Sequence, residues 1–209
     1  MNSKFLSEKV EAVRQFRLSS KAKTTNGYAK VPQLFAQITQ PDDVDFLIIP
    51  SVSSERRRYV PIGFATSDVI SSNAVQIVPN ATLYHFGVLT SNVHMAWMRA
   101  VCGRLEMRYR YSKEIVYNTF PWPNPTDAQK AKVEQTAQAI LDARALYSDC
   151  SFADMYGEKM YLFPELLKAH QNNDRAVMQA YGFSKEHPAY SSESACVAEL
   201  MKMYQNLTE

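Results

Sequence analysis

The chain has 209 residues, 46% of them hydrophobic and 21% charged, the profile of a globular protein with a sizeable core and one or two domains. No run approaches eighteen apolar residues, the N-terminus lacks the apolar stretch of a secretory signal, and Cys102, Cys150 and Cys196 form no C-x-x-C pair; the expectation is no membrane span, no zinc or disulfide framework, and a reducing, cytoplasmic setting. The net charge of +2 hides an asymmetry: residues 1–120 carry 15 Lys+Arg against 9 Asp+Glu, and residues 121–209 carry 8 against 12, which makes the front half the side for a polyanion.

Residues 4–18 read as a helix with Leu6, Val10 and Val13 on one stripe. A polar, basic loop over 19–27 follows, then a short helix over 32–38 that Pro32 suits. Strands are predicted at 46–49, 59–64, 69–70 and 74–78, with a polar and then basic loop, 51–58, between the first two. Pro61 pushes the second toward an edge or a bulge. Residues 82–102 return to helical character, with Thr90 or Ser91 capping a second piece and Gly103 ending it.

Residues 104–111, Arg-Leu-Glu-Met-Arg-Tyr-Arg-Tyr, alternate charged and apolar side chains without a break. A period of two predicts one strand, with Leu105, Met107, Tyr109 and Tyr111 toward a core and Arg104, Glu106, Arg108 and Arg110 in a row on the other face. Side chains on one strand face recur roughly every 6.7 Å, about two base-pair steps of B-DNA. Arg suits guanine O6/N7, and Glu can accept from cytosine N4. A solvated face with cross-strand ion pairs is the plainer alternative. Ile115–Tyr117 reads as one more strand. Phe120-Pro121-Trp122-Pro123-Asn124-Pro125 then forbids regular structure. Thr126-x-x-Gln129 is a capping box opening a long helix with a stripe of Val133, Ala137, Ile140, Leu141 and Ala145. A helix opens at Pro164 and ends at Gly182, carrying His170 on its apolar stripe, and a last helix spans 192–207.

The six glycines are not spaced as G-x-G-x-x-G or a phosphate-binding loop, there is no G-x-S-x-G elbow, and the four histidines form no H-E-x-x-H array. The reading is a binding module and not a complete enzyme. Arg56, Arg57 and Arg58 form a basic cluster suited to phosphates, and the Asn73 amide suits adenine N6/N7. Tyr109 and Tyr111, opposite the arginines, read as core.

Residues 53–64, 89–99, 103–112 and 116–123, the last reading Val-Tyr-Asn-Thr-Phe-Pro-Trp-Pro, resemble in order the C-terminal part of the MmeI-like type IIL (IIG-type) restriction–modification enzymes, which are adenine-specific DNA methyltransferases. The resemblance covers essentially the whole chain. It implies a longer protein in which an endonuclease, a helical spacer and an N6-adenine methyltransferase using S-adenosylmethionine precede a target-recognition domain and a small helical C-terminal domain. Here Asn124-Pro125 is not followed by the Pro-Tyr of the methyltransferase motif.

The implied architecture is α+β: a helical tether over 1–36, a recognition domain with a mixed or antiparallel sheet and packed helices over 37–123, and a helical bundle over 124–209. The implied base readers are Ser51, Asn73, Ala74, Glu106 and Arg108, with Arg110 reading a base or holding a phosphate. Arg56, Arg57, Arg58, Arg104 and Lys113 are implied phosphate or framework residues. The expected partners are double-stranded DNA and a covalently linked methyltransferase domain; no cofactor or metal is expected in this chain. The alternative is a protein-interaction module using the acidic helices of 126–207.

Overall fold

The computed structural model describes residues 3–36, 38–39 and 42–209. The chain divides into two compact units, Met1–Gln40 and Pro41–Glu209. Among the described residues no helix is long and apolar enough to cross a membrane.

In the first unit, helix α1 spans Lys4–Leu18, as predicted. None of its residues is buried, and Leu6 and Val13 on the predicted stripe are exposed. The expected loop over 19–27 contains a short helix, α2 (Lys23–Gly27), followed by a 3-10 turn at Tyr28–Lys30. Two α1 guanidiniums fold the next segment back: Arg14 donates to the Ala29 carbonyl at 3.2 Å, and Arg17 donates to Tyr28, Val31 and Leu34 carbonyls at 3.0, 3.0 and 2.8 Å. The helix expected over 32–38 does not form among the described residues; the Val31 carbonyl closes one turn on the Leu34 N–H at 3.1 Å and also takes Arg17, which bonds the Leu34 carbonyl as well. Gln37, within that prediction, lies outside the described residues.

The second unit is α+β. Strand β1 (Phe46–Pro50) runs directly, through Ser51, into the two-residue β2 (Val52–Ser53). Strands β3 (Gly63–Ala65) and β4 (Val75–Pro79) flank β1, both antiparallel. Helices α3 (Leu83–Leu89) and α4 (Asn92–Val101) follow, with the Ser91 side chain capping α4 by accepting the His94 N–H. Strands β5 (Gly103–Leu105) and β6 (Arg108–Arg110) complete a second antiparallel sheet in the order β2-β6-β5.

The predicted strand elements are corrected in four places. Only Gly63–Ala65 of the 59–64 stretch is a strand: Pro61 has no N–H to give a ladder, and Tyr59, Val60 and Ile62 are instead buried as irregular backbone. Val69–Ile70 lies in a turn closed by the Val69 N–H on the Thr66 carbonyl. Ile115–Tyr117 belongs to a π-helical turn, Lys113–Tyr117, capped by Ser112 and anchored by the Trp97 indole N–H on the Val116 carbonyl at 3.2 Å. The single strand over 104–111 is a hairpin whose two turn residues are Glu106 and Met107. Gly103, expected to end α4, is the first residue of β5.

Helix α5 (Asp127–Ala145) starts at the predicted Thr126–Gln129 capping box. Its buried face is Val133, Thr136, Ala137, Ile140, Ala143 and Arg144; Leu141 is half-buried and Ala145 exposed. The face turns because Arg144 is drawn inward. After a one-turn α6 (Phe152–Met155), helix α7 (Pro164–Ala180) ends before Gly182, whose φ of +74° suits glycine, and α8 (Glu193–Thr208) closes the chain. Gly87 lets α3 approach α5: a Cβ there would lie 2.7 Å from Val133 Cγ1 and 3.1 Å from Asn173 Oδ1.

A buried polar chain fastens the C-terminal helices to the rest of this unit. Arg144 donates to the Ile62 carbonyl and to the Tyr156 hydroxyl, both at 2.8 Å. That hydroxyl meets His170 Nε2 at 2.8 Å, and the His170 ring stacks on Tyr59 at 4.2 Å. The Tyr59 hydroxyl donates to Asp174 at 2.6 Å, and the other Asp174 oxygen accepts the Asn92 N–H at 2.8 Å, at the first turn of α4. His170 is thus a core histidine bonded through Nε2, held well below its usual pKa by burial and then by Arg144 and Arg58. Asn173, one residue before Asp174, donates to the Gly87 carbonyl at 2.8 Å and accepts from Thr136 at 3.1 Å.

Burial pushes the Asp174 carboxyl up to about 6, against the opposing effect of its hydrogen bonds from Tyr59 and Asn92. An unfolded aspartate titrates near about 3.9, so between those values the folded chain holds a proton that the unfolded chain does not. The stability that this proton contributes is full below about pH 4 and is lost as pH rises through about 6. Urea titrations should therefore show the stability of wild type relative to Asp174→Asn falling between pH 4 and pH 7. A constant or growing difference would contradict the shift.

Candidate nucleic-acid interface

Ser51 is the junction of the two sheets. Its N–H bonds the Ala74 carbonyl at 2.9 Å, extending the β1–β4 ladder one step past Pro50–Val75. Its carbonyl accepts the Tyr111 N–H at 2.9 Å, extending the β2–β6 ladder one step past Val52–Arg110. Its hydroxyl accepts from the Gln76 amide at 3.0 Å. Three segments far apart in sequence, around 51, 73–76 and 110–111, therefore meet at one residue. Asn73 and Ala74 are exposed in the turn leading into β4, where the Ala74 N–H bonds the Ser72 hydroxyl at 3.2 Å.

The hairpin projects from this junction. Its register pairs Gly103 with Arg110, Arg104 with Tyr109 and Leu105 with Arg108. Odd-numbered residues thus face even-numbered ones across the ladder, and cross-strand partners share a face. Arg104 is consequently on the Tyr109 side and not in a row with Arg108 and Arg110. Its guanidinium stacks 4.0 Å over the Tyr109 ring and donates to the Met107 carbonyl at 3.1 Å. Arg104 is a framework residue that braces the turn. Arg108 and Arg110 share the outer face with Leu105. Leu105 and Met107, expected in the core, are exposed, whereas Tyr109 and Tyr111 are buried as expected.

Glu106 and Arg108 are brought together at the turn in an ion pair of 2.9 Å with both side chains largely exposed. Glu106 has φ of +58°, at the first of two turn positions, where hairpins favour glycine. A residue other than glycine in that position carries local backbone strain. Behind the hairpin, the Tyr111 hydroxyl meets His94 Nε2 at 3.0 Å; burial pushes that histidine down to about 3, so it stays neutral.

The basic loop leaves β2 toward the Arg108 end of β6, as the 52–110 and 53–109 pairs require. Arg56 is matched by Glu158 at 3.0 Å and Glu55 at 3.6 Å, so it meets a phosphate only by leaving those carboxylates. Arg57 takes part in the loop turn through its N–H on the Ser54 carbonyl. The Arg58 guanidinium lies 5.4 Å from the Tyr59 ring, and its carbonyl accepts from Arg99 at 2.6 Å. Lys113 is exposed at the π-helical turn, 3.8 Å from Glu114. Among the described residues no group of three His, Cys, Asp or Glu is placed to hold a metal ion. Sequence reasoning did not single out Gln76 or strand β2, and it left Arg104 open between phosphate and framework roles. A Glu-Met turn carries no Gly, Asn or Asp to announce a hairpin, and two residues are too few to read as a strand.

The model of the MmeI target recognition domain matches residues 1–124, and that of the MmeI C-terminal domain matches residues 125–209. DNA methyltransferase A of Bacillus subtilis (strain 168) is 34% identical over 204 residues, which cover 98% of this chain and 22% of that protein. The structure of the type IIL restriction–modification enzyme MmeI in complex with DNA is similar at 46% identity and a TM-score of 0.86, over 97% of this chain and 26% of that one. The chain spans about a quarter of the length of these relatives.

If Ser51 joins the sheets through its backbone, Ser51→Pro should lower stability by about 2 kcal/mol, from loss of the N–H bond to Ala74 in a half-buried site. Ser51→Ala, which loses only the Gln76 bond, should cost about 1 kcal/mol or less. Equal effects in urea denaturation would contradict the junction.

Proposed function

Because this chain belongs to the MmeI family, with that family's target recognition domain followed by its C-terminal domain, we propose that it is the sequence-reading part of a longer, cytoplasmic adenine-N6 DNA methyltransferase of the restriction–modification kind. In this reading it grips duplex DNA and presents a target adenine to a methyltransferase domain on the same polypeptide, which flips the base out of the stack. The chain itself performs no chemistry. The six glycines of this chain are not spaced as the turn of a nucleotide-binding motif, which supports placing S-adenosylmethionine elsewhere. It would belong, like any nuclease metal, to the rest of the longer protein.

The observation that carries the reading is the Glu106–Arg108 pair at 2.9 Å, held at the exposed tip of a hairpin whose base is bonded through Ser51 to the Asn73–Ala74 turn. An exposed ion pair contributes roughly 0–1 kcal/mol, whereas a well-placed contact to a base edge discriminates by about 1–3 kcal/mol. Opening the ion pair to meet a C·G pair therefore costs less than the discrimination that the new contacts supply. Glu106 would accept the cytosine amino hydrogen, and Arg108 would donate to guanine. Ser51, Asn73, Ala74 and Arg110 are the remaining proposed readers. Arg56, Arg57, Arg58 and Lys113 are the proposed phosphate contacts, with Arg104 bracing the hairpin.

Duplex affinity should fall steeply and linearly on a log–log plot against salt, in proportion to the phosphates neutralised. Salt-insensitive association with a protein would favour the interaction-module alternative. Glu106→Lys combined with Arg108→Asp should change which base pair is preferred at one position while keeping overall affinity within about tenfold. Uniform weakening on all sequences would remove the pair from the readers.

A further inference from the structure

The tip of the hairpin carries an apolar group that the reader assignment does not use. Met107 is 70% exposed and Leu105 42% exposed, between Arg104, Glu106 and Arg108. Isolated surface apolar residues are ordinary. These two differ because the backbone that presents them is fixed. The Met107 carbonyl is held by Arg104, whose guanidinium is stacked on buried Tyr109, and the preceding residue sits at φ +58° with its carboxylate on Arg108. The turn is braced on both sides, and its unbranched, polarisable side chain points away from the core.

Building on the DNA-reading proposal, we infer that Met107 is a specificity-determining residue that packs on the C5-methyl group of a thymine beside the base pair met by Glu106 and Arg108. A two-stranded ribbon fits the major groove, about 12 Å wide, without widening it, whereas the minor groove is about 6 Å wide. In the major groove the thymine methyl is the apolar group that the four base pairs display. Met107 lies between Glu106 and Arg108 at the exposed turn, so its contact is assigned to the base step next to theirs. An apolar side chain there gains by covering a methyl and gains nothing from a bare cytosine or uracil edge.

The test uses this 209-residue chain and duplexes selected from a randomised pool, each enriched duplex then remade with deoxyuridine for thymidine one position at a time. Wild type should bind roughly three- to tenfold more weakly when one thymine, next to the position governed by Glu106 and Arg108, loses its methyl group. Met107→Ser, a change at an exposed turn, should bind both forms equally and keep the other positions of the motif. Met107→Leu should keep the preference. Discrimination that survives in Met107→Ser, or an enriched motif in which no thymine discriminates, would overturn the methyl contact and leave the DNA-reading proposal standing. No enriched duplex at all would overturn both. A 2-aminopurine signal of unstacking at that step, lost in Met107→Ser without any methyl preference, would make Met107 a wedge between bases and overturn the inference as stated.

Discussion

Asp174 holds the second unit together. Its two carboxylate oxygens take the hydroxyl of Tyr59, at the end of the basic loop, and the first N–H of α4. Two three-stranded sheets with strands of two to five residues lack the hydrophobic area to stand alone. They persist because their buried side chains share one core with α3, α4, α5 and α7, and that helical platform is tied to the rest of the unit by the polar contacts of Arg144, Asn173 and Asp174. Removing one partner from such a buried network leaves others unsatisfied, at about 1–3 kcal/mol per group. The back half is not an appendage: its buried Asn173, Asp174 and Arg144 bond Gly87, Tyr59, Asn92 and Ile62 of the segments that carry the sheets.

That division explains the placement of the site. The platform buries Tyr109 and Tyr111 on one side of the hairpin and leaves its other side and its tip to solvent. His94, neutral and fully enclosed, sets the Tyr111 hydroxyl without introducing charge behind the hairpin. Ser51 then transmits the position of one sheet to the other through two backbone bonds. A reader that must hold side chains to within a fraction of an ångström gains from resting on fixed elements. Only the turn residues Glu106 and Met107 extend beyond the ladder.

Much of this was legible in the sequence where local rules act alone. The Thr126–Gln129 capping box, the Ser91 cap, Pro164 at a helix start and Gly182 past a helix end each carry their own geometry in neighbouring residues. The hairpin was not legible, because a two-residue turn without glycine leaves the alternation of 104–111 unbroken while moving Arg104 to the other face. Where a helix is expected over 32–38 there is a single turn, and its Val31 and Leu34 carbonyls are tied to the distant Arg17, a contact that the local sequence does not announce. The candidate site was half legible: Glu106, Arg108 and Asn73 stand out by residue type and Ser51 through the family resemblance, but the meeting of segments 51, 73–76 and 110–111 is a property of strand register that no single segment contains. Arg144 shows the same limit. A charge on a helix face reads as solvated until its partners, Ile62 and Tyr156, are known.

The central claim is that the hairpin tip and the Asn73–Ala74 turn form the surface that meets DNA. Hydrogen exchange of this chain with and without an excess of randomised duplex at low salt tests it most directly. Slowed exchange confined to residues 72–75 and 103–111 and the 54–58 loop is the predicted result. Protection confined to the acidic helices α5, α7 and α8, or none at saturating duplex, would contradict it.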